Sequence, residues 1–303
     1  MSCLLLPLIG SPRACHPDHR VRKTRGRRAR RRCRGAARSR SRRGEVTVEF
    51  SPLNKHDLLL ASGALLRPPL PLFLGNEGVA RISEVGLGVG TVAVGDLVVV
   101  PLFAGAWRER LLLPAEGLFR LPEGSTEQFS MLGSNPPTAG LILGEYADLE
   151  PGDWIVQNAA NSGVGRSLIA LAKARGFQTI NLARNESVFA ELTASGADIV
   201  HLDNATAAED VRKEIGDARV ALAVDPVGGA SAGRLLDLLS EGGSLVAYAT
   251  ATGQPMPVNE LTLISKRATV RGFLAGHYDY DDIDAAIRQL ERGGKVLLKV
   301  ARS

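Results

Sequence analysis

Cysteine is almost absent from this chain. The three cysteines all lie within the first 43 residues, at Cys3, Cys15 and Cys33. The remainder, residues 44–303, therefore offers no thiol for a disulfide framework or a thiolate metal site. Beyond residue 43 the histidines are isolated, at His56, His201 and His277. This spacing is unlike that of metal ligands, so the sequence predicts a protein without a metal site.

The chain also lacks long apolar runs, and its first 43 residues contain almost no acidic side chains. No run approaches the roughly 20 residues that a membrane-spanning helix needs, so no membrane segment is expected. Residues 1–43 hold 15 of the 37 Lys and Arg but only one of the 32 Asp and Glu. That leaves 22 basic and 31 acidic residues in the rest of the chain. The net charge of +5 thus conceals an acidic body behind a basic tail.

The arginine-rich tail, residues 1–43, is predicted to be disordered because it has too little apolar surface to bury a core. It fits an organelle transit peptide, a nucleic-acid-binding arm, or a segment without function, such as a wrong start or a shifted reading frame. We favour the last interpretation, because composition, charge and cysteine use all change at Gly44. A cytoplasmic protein is expected, with the mitochondrial matrix as the alternative, and nucleic-acid binding is not expected.

Residues 44–128 have the pattern of a compact β-rich domain. Polar and apolar residues alternate over Gly44–Phe50, as in a half-buried strand. Further strands are predicted at Gly75–Val85 and Gly95–Pro101, between glycine turns.

Residues 129–276 alternate apolar strands with amphipathic helices, after a first helix predicted over Met131–Tyr146. Six strands are predicted, at Trp154–Asn158, Gln178–Ala183, Ala197–Leu202, Val220–Asp225, Ser244–Ala249 and Ala268–Phe273. This alternation indicates the α/β class, with a parallel sheet covered by helices on both faces. One more helix, Asp281–Leu290, and one more strand, Gly294–Val300, are expected near the end of the chain.

The segment Asn158–Gly165 (NAANSGVG) follows the first of these strands and precedes a helix predicted over 166–175. A strand that turns through glycine into a helix leaves backbone N–H groups free, and together with the helix dipole they can bind a dinucleotide pyrophosphate. The spacing differs from G-x-G-x-x-G, so an ordinary strand–helix turn is the alternative. Six strands with such a loop after the first predict a doubly wound dinucleotide-binding domain.

Arg184 stands just past the second strand, where the residue type decides the ribose contact. A carboxylate would bind the 2′-hydroxyl of NAD, whereas an arginine accepts the 2′-phosphate of NADP. Glu186, two residues later, weakens the distinction, and a solvated loop charge is the alternative for Arg184. The predicted cofactor is NADPH.

From Gly44 onward the chain resembles the medium-chain dehydrogenase/reductase superfamily. Within it, the chain is similar to the zinc-free 2-enoyl thioester reductases of mitochondrial type and their quinone oxidoreductase-like relatives. The matching segments are Gly75–Gly78 (GNEG), Gly105–Arg108 (GAWR), Asn135–Ala139 (NPPTA), Gly152–Gly165 (GDWIVQNAANSGVG) and Gly294–Leu298 (GKVLL). The run 152–165 is long and is the most specific of them.

The resemblance implies a GroES-like β domain over 44–128, completed by 277–303, and a Rossmann domain over 129–276. It implies NADPH-dependent reduction of a conjugated double bond in an acyl thioester, and a homodimer. At the nicotinamide it places Asn135, Thr138, Tyr248, Ala249, Thr250, Phe273, Leu274 and Ala275. At the phosphates it places Asn161, Ser162, Gly163, Val164, Gly165 and Arg184, with Lys295 reaching the cofactor from the last strand. On the residues alone, Thr138 is a helix cap and Asn135 a turn residue.

The chain departs from the family where a G-x-Y segment should supply a catalytic tyrosine. The segment Ser62–Pro68 reads SGALLRP, so Ala64 or a one-residue deletion takes the tyrosine position. The family tryptophan after the sixth strand is Leu274, and the region after Gly276 is shortened. The catalytic residues are therefore unassigned. A reductase that takes its proton elsewhere, an enone or quinone reductase, and a catalytically impaired NADPH-binding paralogue all fit the sequence.

Overall fold

The computed structural model describes residues 42–63 and 70–274. Within these ranges the chain forms two sheets of different construction, one antiparallel and one parallel. No helix in the described ranges is long and apolar enough to cross a membrane.

The first sheet is antiparallel and contains the strands β1 (Arg43–Phe50), β2 (Gly78–Val85), β3 (Leu97–Val100) and β4 (Arg110–Pro114), in the order β3-β2-β1-β4. One face carries the apolar core, to which Val46, Ile82, Val98 and Leu111 contribute. The short helix α1 (Lys55–Ala61) connects β1 to β2, and α2 (Thr126–Phe129) follows the sheet.

The second sheet follows helix α3 (Asn135–Glu145) and is entirely parallel. Its strands are β5 (Trp154–Gln157), β6 (Gln178–Ala183), β7 (Ile199–Leu202), β8 (Val220–Asp225), β9 (Ser244–Ala247) and β10 (Thr269–Gly272). The accompanying helices are α4 (Gly163–Ala174), α5 (Phe189–Ala194), α6 (Ala207–Ile215), α7 (Gly229–Leu238) and α8 (Glu260–Lys266). A 3₁₀ turn, Glu186–Val188, precedes α5.

The strand order, β10-β9-β8-β5-β6-β7, reverses direction between β5 and β8. In doubly wound sheets a ligand binds at this reversal, outside the carboxyl ends of the strands. Here those ends are Gln157 in β5 and Asp225 in β8, directly beside the segment 158–165. The α/β class and the six-stranded sheet predicted from the sequence are confirmed.

A pair of buried amides joins the carboxyl end of β5 to β6. The side-chain Nε2 of Gln157 donates to Asn181 Oδ1 at 2.7 Å and to the backbone oxygen of Gly165 at 3.0 Å. The Asn181 amide nitrogen donates in turn to Thr179 Oγ1 and to the Ile199 carbonyl, both at 3.0 Å. Both amides are nearly inaccessible to water, so these hydrogen bonds satisfy polar groups inside an apolar sheet.

Several element boundaries differ from the sequence prediction. Helix α3 begins at Asn135 rather than Met131, and α4 begins at Gly163 rather than at residue 166, because Ser162 caps it. The sequence did not predict α1, α2 or β4. The predicted elements Asp281–Leu290 and Gly294–Val300 lie outside the described residues, so the boundaries of the two domains stay predictions.

Candidate functional site

The loop between β5 and α4 forms the N-terminus of a capped helix. The hydroxyl oxygen of Ser162 accepts a hydrogen bond from the backbone N–H of Gly165 at 3.1 Å, which satisfies one amide of the first turn. Asn161 and Gly163 are exposed, whereas the Val164 side chain is 7% exposed and packs into the core below. Val164 can therefore offer a ligand only its backbone. The remaining first-turn amides, with the helix dipole, suit an anion.

Space for a side chain is absent at Gly165 and restricted at Gly163. A side chain at Gly165 would place its Cβ 2.5 Å from the Ala160 carbonyl oxygen, which is backbone and cannot give way. At Gly163 the same atom would lie 2.8 Å from the amide carbon of Asn135. The loop thus lies directly against the first residue of α3.

Asn135 also contacts two residues from the first part of the chain, one that caps α1 and one that immediately precedes β2. Its amide nitrogen lies 3.4 Å from both Glu77 Oε1 and Asn54 Oδ1, and Asn54 Nδ2 donates to Glu77 Oε1 at 2.8 Å. Asp57 accepts hydrogen bonds from the backbone N–H groups of Asn54 and Asn76, each at 2.9 Å. These five residues, Asn54, Asp57, Asn76, Glu77 and Asn135, are called the Glu77 cluster below.

Glu77 is completely buried and immediately precedes strand β2. Burial raises its pKa to about 7 and outweighs the opposing hydrogen bond from Asn54 and the backbone amides of Ser134 and Gly133, while the nearby charge of Asp57 also raises it. In the sequence, Glu77 belongs to the family motif Gly75–Gly78 and carries no predicted role. A charged residue between glycines, just before an apolar strand, is the local signal that could have singled it out.

Tyr248 immediately follows β9 and contacts the same loop through Ser162. Burial raises the pKa of its hydroxyl above the ordinary value, against a lowering hydrogen bond with Ser162. Ala249 and Thr250 follow it and are exposed, whereas Thr138 is 6% exposed inside α3. Among the residues predicted for the nicotinamide, Asn135 and Tyr248 therefore flank the same loop.

Two predicted residues after β10 have opposite environments. Phe273 is 6% exposed and packs edge-on against Tyr146, with ring centroids 6.0 Å apart. Leu274 is 76% exposed. Ala275, Lys295 and the tyrosine position near Ala64 lie outside the described residues.

Arg184 is exposed immediately after β6, on the side of the loop where a ribose would follow the pyrophosphate. Among the described residues it forms no ion pair, and Glu186 does not neutralise it. A second cation, Arg166 in α4, lies nearer the loop, but it pairs with Glu191 at 2.6 Å. Of these two arginines, Arg184 is therefore the one whose guanidinium is available to bind an added phosphate.

Within the described ranges, no group of three or more His, Cys, Asp or Glu side chains could hold a metal ion. The residues present instead suit an anionic dinucleotide, with a capped helix N-terminus, tight glycines and a free arginine one strand away.

Two family matches cover most of the body of the chain. Residues 42–123 match the family described as "Alcohol dehydrogenase GroES-like domain", and residues 163–292 match "Zinc-binding dehydrogenase". The mitochondrial enoyl-[acyl-carrier-protein] reductase of Dictyostelium discoideum is 37% identical over 240 residues, which cover 76% of this chain and 69% of that protein. The rat protein of the same name is 35% identical, over 75% of this chain and 63% of its own length. The chain thus spans about two thirds of these relatives.

Solved structures agree with the sequence relatives. The mitochondrial 2-enoyl thioester reductase Etr1p/Etr2p heterodimer of Candida tropicalis is 25% identical and has a TM-score of 0.70, covering 78% of this chain and 74% of its own. Escherichia coli quinone oxidoreductase, complexed with NADPH, is 26% identical with a TM-score of 0.68, covering 76% and 72%. The chain therefore belongs to the medium-chain dehydrogenase/reductase superfamily and is homologous to its mitochondrial enoyl reductases.

Proposed function

We propose that this protein is an NADPH-dependent oxidoreductase that reduces the activated carbon–carbon double bond of a 2-enoyl thioester, a reaction of fatty-acid metabolism. The observation that carries the proposal is the capped glycine loop at the strand reversal, with the free guanidinium of Arg184 at the end of the next strand. The names of the relatives supply the substrate class.

In this proposal, the backbone amides at Ser162–Gly165 and the side chain of Asn161 hold the pyrophosphate, and Arg184 holds the 2′-phosphate. Asn135, Thr138, Tyr248–Thr250 and Phe273–Ala275 line the nicotinamide, and Lys295 approaches from the last strand. When bound, NADPH supplies the hydride that adds to the β carbon of the double bond. Apolar packing beneath the loop, including Val164 and Phe273, keeps water from the inner side of the site.

The chemistry also requires a donor at the thioester oxygen, where enolate charge develops, and a proton at the α carbon. With no tyrosine in the segment around Ala64, we propose that water or a still unassigned group delivers this proton. The same departure supports two alternatives: a quinone or enone oxidoreductase, as in the structural neighbour from E. coli, and a cofactor-binding paralogue with impaired catalysis.

NADPH oxidation by the full chain distinguishes these functions. We expect turnover with crotonyl-CoA or a longer 2-enoyl thioester that exceeds turnover with a quinone, measured as the loss of NADPH absorbance. A higher kcat/KM for the quinone would replace the main proposal by the first alternative. Tight NADPH binding with no turnover on any acceptor would establish the impaired paralogue.

We further propose a homodimer formed through the open edge of the parallel sheet. Strand β10 is exposed along its whole length, and Leu261 and Ile264 of the adjacent helix α8 are 71% and 73% exposed. The N–H groups of Thr269 and Phe273 donate to β9, so alternation along the strand turns the N–H of Val270 toward the open edge. A second copy can pair with that edge.

Replacing Val270 with proline is expected to convert the dimer to a monomer, because it removes the outward N–H while leaving the bonds to β9 in place. Light scattering after size-exclusion chromatography measures the mass, and Val270→Thr, which keeps the N–H, is the control. A monomeric parent protein, or a dimeric Val270→Pro variant, would contradict this interface.

The cellular compartment of the protein depends on whether residues 1–43 act as a transit peptide. The relatives are named as mitochondrial proteins, which supports the matrix alternative over the cytoplasmic prediction. The N-terminal sequence of the natively expressed protein tests this: cleavage within residues 1–43 would identify a transit peptide.

A further inference from the structure

The Glu77 cluster contains two buried oxygen atoms, Glu77 Oε2 and Asn76 Oδ1, that have no hydrogen bond of good geometry. The backbone amides of Gly133 and Ser134 lie near the Glu77 carboxyl group and stabilise its charge in part. Both oxygen atoms are acceptors, so an ionised Glu77 leaves a buried charge that is only partly hydrogen-bonded beside the unpaired Asn76 oxygen, at a cost in free energy. A proton on the Glu77 carboxyl group adds one donor to the cluster and removes a buried charge. The composition of the cluster therefore favours the protonated acid.

Within residues 42–63 and 70–274, Glu77 forms no ion pair with a cation. The charged group that faces it from α1 is Asp57, whose negative charge opposes ionisation. Its neutral neighbours are Asn76, from the same segment before β2, and Asn135, from α3. The backbone amides of Gly133 and Ser134 contribute only partial positive charge. An ionised Glu77 would consequently project uncompensated negative charge toward its surroundings.

One side chain separates this carboxyl group from the cofactor loop. The amide nitrogen of Asn135 lies 3.4 Å from Glu77 Oε1, and the same amide group fills the space above Gly163, 2.8 Å from where a Cβ would stand. The dinucleotide phosphates would therefore bind on the far side of a single amide from Glu77. At that range, in a half-buried site, two negative charges raise each other's energy appreciably.

We infer that Glu77 is a titrating residue of the cofactor site, which takes up a proton when the phosphates of the dinucleotide bind beside Asn135. The inference rests on the proposed NADPH binding and adds a residue and a proton to it. Near neutral pH, where burial has brought the pKa of Glu77, an anion placed across Asn135 raises that pKa further. Cofactor binding and protonation of Glu77 then favour each other, by linkage.

The test compares NADPH dissociation constants of the full chain and its Glu77→Gln variant between about pH 6 and about pH 8.5. The ratio of the two constants at each pH cancels the titration of the 2′-phosphate itself. We expect a ratio near one at the acid end and about fivefold weaker binding by the parent protein at the alkaline end, the scale of one unit charge in such a site. Glu123→Gln, at an exposed acid outside the cluster, should follow the parent protein at every pH.

Calorimetric titration of the parent protein with NADPH, in buffers of different ionisation enthalpy, supplies a second measurement that does not depend on the folding of any variant. Net proton uptake is expected between about pH 7 and about pH 8, where the 2′-phosphate is already ionised, and Glu77→Gln should abolish it. A merely structural role for Glu77 would not produce this uptake. Binding without uptake, or a ratio that does not change with pH, overturns the inference while leaving the proposed function standing. If NADPH does not bind at all over the whole pH range, both the inference and the proposed function are overturned.

Discussion

Replacement of Arg184 with alanine is expected to weaken NADPH binding by about 100-fold and to change NADH binding by less than about twofold. The Arg184 guanidinium is exposed after β6 and forms no ion pair among the described residues. A 2′-phosphate can therefore pair with it without displacing another anion. A charge-assisted hydrogen bond contributes about 1.5–3 kcal/mol, and an arginine can donate two to one phosphate. A loss of about 2.7 kcal/mol corresponds to the factor of 100.

Fluorescence titration with each cofactor measures both constants. Arg110→Ala is the matched control, because Arg110 is an exposed arginine of the antiparallel sheet whose pairing with Glu45 spans 3.2 Å at the surface. Equal losses of NADPH and NADH affinity in Arg184→Ala would indicate that this residue shapes the loop rather than binding the 2′-phosphate. An unchanged NADPH affinity would show that the 2′-phosphate binds at another cation, and Arg166 would be the next one to test.

Replacement of Glu77 with glutamine is expected to stabilise the protein at alkaline pH and to have little effect in acid. The folded state holds the proton of Glu77 up to about pH 7, whereas the unfolded chain releases it near its ordinary pKa of 4.5. The stabilisation from the protonated acid is therefore complete below pH 4.5 and is lost as the pH rises through 7. Over that interval the loss amounts to about 3 kcal/mol, which the neutral amide avoids.

Urea unfolding at about pH 5 and about pH 8 measures this difference for the parent protein, Glu77→Gln and the exposed-site variant Glu123→Gln. Subtracting the parent's free energy of unfolding from that of Glu77→Gln removes the titration of all other groups common to both. A difference that stays the same at the two pH values would show that Glu77 is not protonated in the folded protein.

Local patterns were sufficient to predict most of the second sheet. The predicted strands Gln178–Ala183 and Val220–Asp225 and the helix Ala207–Ile215 have the observed boundaries, because polar or glycine residues bracket clear apolar periods. Helix α1 was missed because it is only seven residues long and its one fully buried side chain is the acid Asp57. Its position depends on the hydrogen bonds of Asp57 rather than on an apolar stripe.

The two parts of the candidate site differ in the same way. The loop 158–165 was predicted from the sequence because its strand, cap, glycines and helix are consecutive. The Glu77 cluster was not, since its side-chain hydrogen bonds join residues 23, 58 and 81 positions apart. Contacts of that separation depend on where the start of α3 lies relative to the segments that precede α1 and β2, which no local pattern encodes.

The amide pair Gln157–Asn181 has a consequence for how the parallel sheet assembles. Apolar strands such as β5 and β6 offer similar surfaces at several alignments, so hydrophobic contact alone discriminates weakly between them. In the observed register Gln157 stands opposite Asn181, and each amide finds its partners. A register shift of one residue would turn one amide to the other face of the sheet and leave both amides without these hydrogen bonds. The two polar side chains thus favour a single register of β5 against β6. Because the loop begins one residue after Gln157, its position depends on that register.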